Sequence, residues 1–171
     1  MGNSVYQTPE SEIINKYERR GSPIKAVIVA CLVDIMGTFV IVVIYGFVLA
    51  NYMLTQGLSE EQIAQAFSEI STYSWQSLVV VGMGGLTSIY GGYLCAKIAN
   101  YNEYRIVAIY ALVMIIFSLL TGYKYYYLSR DKIALIEDIG FGVLNIFSIY
   151  LGAWIYVRGK NKKLAESQQV F

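Results

Sequence analysis

Residues 77–96 carry no charged side chain. As a helix that run is long enough to cross the roughly 30 Å hydrocarbon core of a bilayer. Inside it, in the stretch GGLTSIYGGYLCA, the small residues Gly84, Ser88, Gly92 and Ala96 recur at every fourth position. That step keeps them on one helical face. Lipid tails are as apolar as leucine, so helices in a membrane gain little from hiding apolar surface from one another and associate by close approach through small side chains. The stretch therefore predicts a packing seam. The fold class it implies is all-α: a polytopic membrane protein built as a four-transmembrane-helix bundle.

Composition agrees. Hydrophobic residues make up 56% of the 171-residue chain and charged residues 15%, less charge than a soluble domain of this size carries. The net charge of +1 gives no reason to expect nucleic acid as a partner; the bilayer itself is the expected one. There is no histidine, so His-based zinc or haem ligation and His general-base catalysis are excluded. Cys31 and Cys95 lie inside apolar runs and read as buried free thiols. The chain has no Cys-x-x-Cys, no nucleophile elbow and no cluster of acids. The expectation is therefore no enzyme, with no catalytic residue, no cofactor and no metal site.

In chain order, residues 1–22 are polar. They read as a cytoplasmic tail in which Thr8-Pro9 opens a short amphipathic helix, or else as a frayed segment. Spans follow at about 24–54, 73–99, 104–123 and 135–157, with Ser22-Pro23 as cap and first position of the first. Ser59-Glu60-Glu61-Gln62 reads as a capping box opening an acidic interfacial helix at about 60–70. Lys124 to Lys132, with Tyr125-Tyr126-Tyr127, reads as a loop at headgroup depth. Residues 158–171 read as a basic tail, with Arg158, Lys160, Lys162 and Lys163. Most Lys and Arg fall in the two terminal segments and around the short turn near Asn100. This puts both termini in the cytoplasm of a bacterial inner membrane.

Two internal patterns sharpen the picture. Ser88-Ile89-Tyr90-Gly91-Gly92-Tyr93 resembles Ser148-Ile149-Tyr150-Leu151-Gly152-Ala153, which suggests two helical hairpins in parallel orientation; convergence on small and aromatic residues is the alternative. The first span carries its own ladder, Ala26, Ala30, Asp34 and Thr38. Matching depths across the first two spans sets Thr38 near Gly84, Asp34 near Ser88, Ala30 near Gly92 and Ala26 near Ala96. Asp34 is then directed at Ser88 or Thr87.

Past Lys25 at its start, Asp34 is the one charged residue of its span. It lies roughly 13–14 Å along the helix from Lys25. A charge at that depth costs at least about 2.5–3.5 kcal/mol. No Lys or Arg stands at matching depth. Three roles fit: a polar clip between helices, a proton or cation site, or contact with a partner subunit. Glu137 and Asp138 read as an ordinary solvated helix start.

The order of these features resembles a loose group of small bacterial four-span membrane proteins. The residues carrying the resemblance are Val33-Asp34-Ile35-Met36-Gly37-Thr38, the Ser-Glu-Glu-Gln helix, and Gly91-Gly92-Tyr93-Leu94-Cys95-Ala96-Lys97. Cys95 and Lys97 stand where that group is expected to have Ala and Arg. The resemblance implies a fold and a location, and no functional site. The leading expectation of function is a structural or accessory subunit acting as a homo-oligomer or in a larger membrane complex. The alternative is a small proton- or cation-coupled channel or carrier using Asp34.

Overall fold

The computed structural model describes residues 21–68, 75–129 and 132–168. These form five helices: α1 (Pro23–Thr55), α2 (Glu60–Ser68), α3 (Trp75–Ala99), α4 (Glu103–Ser129) and α5 (Lys132–Gln168). No strand occurs among the described residues. All but α2 are long and apolar enough to cross a membrane, which suggests a multi-pass membrane protein. The proposed amphipathic helix near Thr8 lies outside the described residues.

Helix ends follow the local chemistry. Ser22 caps α1, its hydroxyl accepting from the Lys25 amide at 3.3 Å, and Pro23 takes the first turn, where its missing N–H is not needed. Past Gln56 the chain leaves α1 through Gly57, whose φ of +84° suits glycine. The capping box of α2 is reciprocal: Ser59 N donates to Gln62 Oε1 at 2.9 Å, and Gln62 N donates to Ser59 Oγ at 3.3 Å. Asn100 and Asn102 take positive φ, 53° and 43°, so that α3 can turn directly into α4. Asparagine is among the few non-glycine residues that adopt this backbone readily, because its short polar side chain can hydrogen-bond locally.

Two boundaries differ from the sequence reading. α4 does not stop near residue 123 but continues to Ser129, through the stretch expected to be a loop. α5 also runs past the expected span end, staying helical through the basic segment from Arg158 to Gln168. The reason is the same in both. Neither stretch contains proline, and tyrosine, leucine, lysine and glutamate are all compatible with a helix, so one glycine, Gly159, is not enough to end α5 where the apolar character ends.

α3 is the central element. It packs most extensively against α5 and α1, while α4 packs against α1, α3 and α5; among the described residues the α1 and α5 backbones do not approach closely. At one end, here called the turn end, the elements are tied together. Gly21 N donates to the Ala99 carbonyl at 2.9 Å, Tyr156 Oη donates to Asn100 Oδ1 at 3.0 Å, and Lys160 pairs with Glu103 at 2.7 Å. A side chain at Gly21 would collide with the Ile98 carbonyl, so this entry needs glycine. The buried residues of the four long helices gather in the half nearer that end: Ala26, Ala30 and Asp34 of α1, Cys95, Ala96 and Ala99 of α3, Val107 and Tyr110 of α4, Ile149 and Ala153 of α5. Toward the other end the side chains open out. Phe39, Val43 and Phe47 of α1, Leu119 and Leu120 of α4 and Ile139 and Val143 of α5 are all exposed.

Candidate functional site

The close contact at the centre is glycine on backbone. A Cβ on Gly92 would strike the Ile149 carbonyl, and a Cβ on Gly152 would strike the Ile89 carbonyl. These two contacts are the same contact seen from either helix. In the matched segments Ser88 corresponds to Ser148, Ile89 to Ile149 and Gly92 to Gly152, so each glycine rests on its counterpart's isoleucine. α3 and α5 thus meet through the resemblance noted between their sequences. The expected pairing with α1 is refined by this. The nearest contact of Gly92 is with α5, and it is its neighbour Gly91 that stands close to the Ala30 carbonyl, 3.4 Å from where its Cβ would be. The cause is helical phase. A step of four residues overshoots a 3.6-residue turn by about 40°. A ladder that faces α1 at Gly84 and Ser88 has therefore turned toward α5 by Gly92.

The other seam residues lie where the helices close. Ala26, Ala30 and Ala96 are fully buried within one cluster, and a Cβ on Gly84 would come 4.0 Å from the Thr38 methyl. Gly37 leaves room for the Thr87 methyl, 3.0 Å from where a Cβ would be.

Above those alanines sits Asp34, 2% exposed. Hydroxyls of two other helices converge on its carboxyl. Ser88 Oγ, itself 2% exposed, donates toward Oδ1 at 2.9 Å and Oδ2 at 3.1 Å; Thr87 Oγ1 donates to Oδ1 at 3.0 Å; Tyr110 Oη donates to Oδ2 at 2.6 Å. Thr87 has one proton and three acceptors in range, since Thr38 Oγ1 lies at 2.9 Å and the Gly84 carbonyl at 2.7 Å. When Thr87 points at Asp34, Thr38 can donate to Thr87, and the relay runs Thr38 to Thr87 to Asp34. Ser88 has a similar second choice in the Gly84 carbonyl at 3.2 Å. One acid on α1 is thereby fastened to α3 and α4 with no Lys or Arg among its hydrogen-bond partners.

Sequence reasoning missed Tyr110 and Gly91. The two act together: a Cβ on Gly91 would stand 2.6 Å from Tyr110 Oη, so only glycine there lets the phenol reach Asp34. Tyr110 is fully buried. Its signal was its depth. A tyrosine seven residues into an apolar helix is out of place for an interfacial ring and needs a partner for its hydroxyl.

Beyond Asp34, away from the turn end, the helices part around a cleft of about 730 Å³. Val80, Val81 and Leu86 of α3, Phe39 of α1, Phe117 of α4 and Phe141 of α5 form much of its wall. Its polar lining comprises Asp34, Thr38, Ser88, Ser118, Thr121, Asn145 and Ser148. Asn145 Oδ1 is buried and has no hydrogen-bond partner. Asn145 also lines a smaller cavity of about 110 Å³ between α4 and α5. Among the described residues no group of three His, Cys, Asp or Glu gathers to hold a metal, and Cys31 and Cys95 are both free thiols. The side chains of Glu137 and Asp138 lie outside those described.

Comparison with protein-family models, with curated proteins and with solved structures finds no match in any of the three. The chemistry of the site rests on its own geometry.

Proposed function

We propose that the chain is a structural or accessory subunit of a bacterial inner membrane, a multi-pass bundle of two helical hairpins with both termini in the cytoplasm. It acts as a homo-oligomer or within a larger membrane complex, through the apolar outer faces of its helices. The observation carrying this reading is the state of Asp34. Its carboxyl is almost wholly buried and is engaged by hydroxyls of α3 and α4, which makes it a fastener between helices. Buried polar groups tie membrane helices together in this way because an unpartnered one in hydrocarbon is costly. The orientation draws support from Lys97, Arg105, Arg158, Lys160, Lys162 and Lys163, which cluster in sequence around the turn end.

The cleft that reaches Asp34 favours a second reading, a proton- or cation-coupled carrier or channel. One pair of measurements separates the two. Purified protein in liposomes is expected to carry no proton or cation flux and to run as a single discrete oligomer, or to copurify with a fixed partner. A flux abolished by Asp34→Asn, from a variant that still folds, overturns the first reading in favour of the second.

A further inference from the structure

We propose that the open-half cleft is a binding site for an amphiphilic amine, a molecule with an apolar body and an ammonium head that is held at the Asn145, Ser148 and Asp34 floor. This goes beyond the subunit reading and does not depend on transport.

Size comes first. About 730 Å³ lies within the range of sites that take drug-sized organic molecules. Polarity comes next. The walls are valine, leucine, isoleucine and phenylalanine, while the polar groups stand as a limited set, as in a site that fixes orientation rather than one filled with bulk water. The sign of those groups selects the head. Asp34 contributes a carboxyl, and Asn145 contributes a carbonyl oxygen that is buried without a partner. Among the described residues no Lys or Arg lines the cleft. A buried acceptor left unpaired is costly, and native proteins rarely tolerate one. An ammonium supplies donors and no acceptor, which complements this floor. A carboxylate or phosphate head could accept from the Ser148 hydroxyl and the Asn145 amide NH₂, but it would leave the Asn145 carbonyl unpaired and set more acceptor oxygens beside Asp34. A lipid acyl chain would fill the walls but bring only CH₂ to Asn145, leaving its carbonyl unpaired.

Access fits an amphiphile as well. Phe39 and Leu86 line the cleft yet are 63% and 58% exposed, so the rim opens to the outside of the helices. Below Asp34 the way is shut by Tyr110 and the buried alanines, so the head stops at the floor.

The test uses the full chain in nanodiscs of phosphatidylcholine. Dodecylamine, dodecan-1-ol and dodecanoate share a tail and differ in the head; each is titrated while the thermal unfolding midpoint is followed. Dodecylamine is expected to raise the midpoint with a saturable dependence, and dodecanoate is not. Asn145→Leu removes the free acceptor and Val81→Trp fills the cleft well away from the Asp34 cluster. Asn145→Leu is expected to weaken amine binding by about tenfold or more, the usual scale for a lost hydrogen bond to a charged group, and Val81→Trp to weaken it at least as much by taking the tail's space. These variants keep the test open even if Asp34→Asn fails to fold. Equal responses to the amine and the carboxylate, or an amine response untouched by both variants, overturn the proposal. Cross-linking of Val81→Cys to a second copy also overturns it, because the cleft is then filled by protein. Oligomer mass and liposome flux are read separately, so failure here is distinct from failure of the subunit reading.

Discussion

Asp34 shows how one residue is held in place by another residue's missing side chain. The third donor to its carboxyl, Tyr110 Oη, arrives at 2.6 Å only because Gly91 has no Cβ. Tyr110→Phe removes that donor and is expected to lower stability by about 1–3 kcal/mol, the range for a buried polar group that loses a partner. Gly91→Ala should cost a similar amount by displacing the phenol. Because the two changes break the same hydrogen bond, the double variant should cost clearly less than their sum. Thermal or denaturant unfolding of all four proteins in detergent measures that coupling; strict additivity would mean that Gly91 does not position Tyr110. Asp34→Asn belongs to the same cluster. Its amide NH₂ would face hydroxyls that already donate, and a loss of about 1–3 kcal/mol is expected. The conservative character of that exchange is therefore only apparent.

Between elements, the decisive contact is α3 on α5 through Gly92 and Gly152. Leucine at either position drives a side chain into the facing isoleucine carbonyl. Gly92→Leu and Gly152→Leu should each cost about 3 kcal/mol or more, at the upper end for overpacking, because the obstacle is backbone and cannot turn aside. Gly82, Gly140 and Gly142 are built into the same apolar helices, but a Cβ there meets nothing within 4 Å. Leucine at those three positions should leave the unfolding midpoint nearly unchanged. If all five variants behave alike, the contact does not hold the helices together. The reciprocal pairing of Gly92 with Ile149 and Gly152 with Ile89 also gives the internal likeness a physical meaning. Matched segments on two parallel helices meet through matched residues, as a twofold axis along the helices requires. The outer pair breaks that symmetry, since α4 packs against α3 while, among the described residues, the α1 and α5 backbones do not approach closely.

At the level of the whole molecule, the half that is closed and the half that is open divide the work. Small residues and one hydroxyl cluster lock the helices near the turn end, and beyond Asp34 the helices part around the cleft. Orientation in the membrane can be measured directly. Ser59 precedes α2, and Ser167 sits at the far end of α5 beside the basic segment. In intact cells a membrane-impermeant maleimide should label Ser59→Cys, and should reach Ser167→Cys only after lysis. The reverse pattern would place the basic end outside and undo the proposed topology.

Much of this was legible before any coordinates. Long runs without charge, caps at Ser22 and Ser59, and an acid whose depth matched Ser88 and Thr87 all act locally or along one helix, so the chain's own order displays them. The ends of α4 and α5 were not, because a helix stops for want of geometry rather than for want of hydrophobicity. Tyr110, the partner of Gly92 and the cleft could not be read either. Sequence gave which residues were small and at what depth; which neighbour each one faces depends on helical phase, and a drift of about 40° per ladder step is enough to hand Gly92 from α1 to α5. The cleft belongs to no helix at all. It exists because the four long helices close at one end and part at the other, and only their packing together decides that.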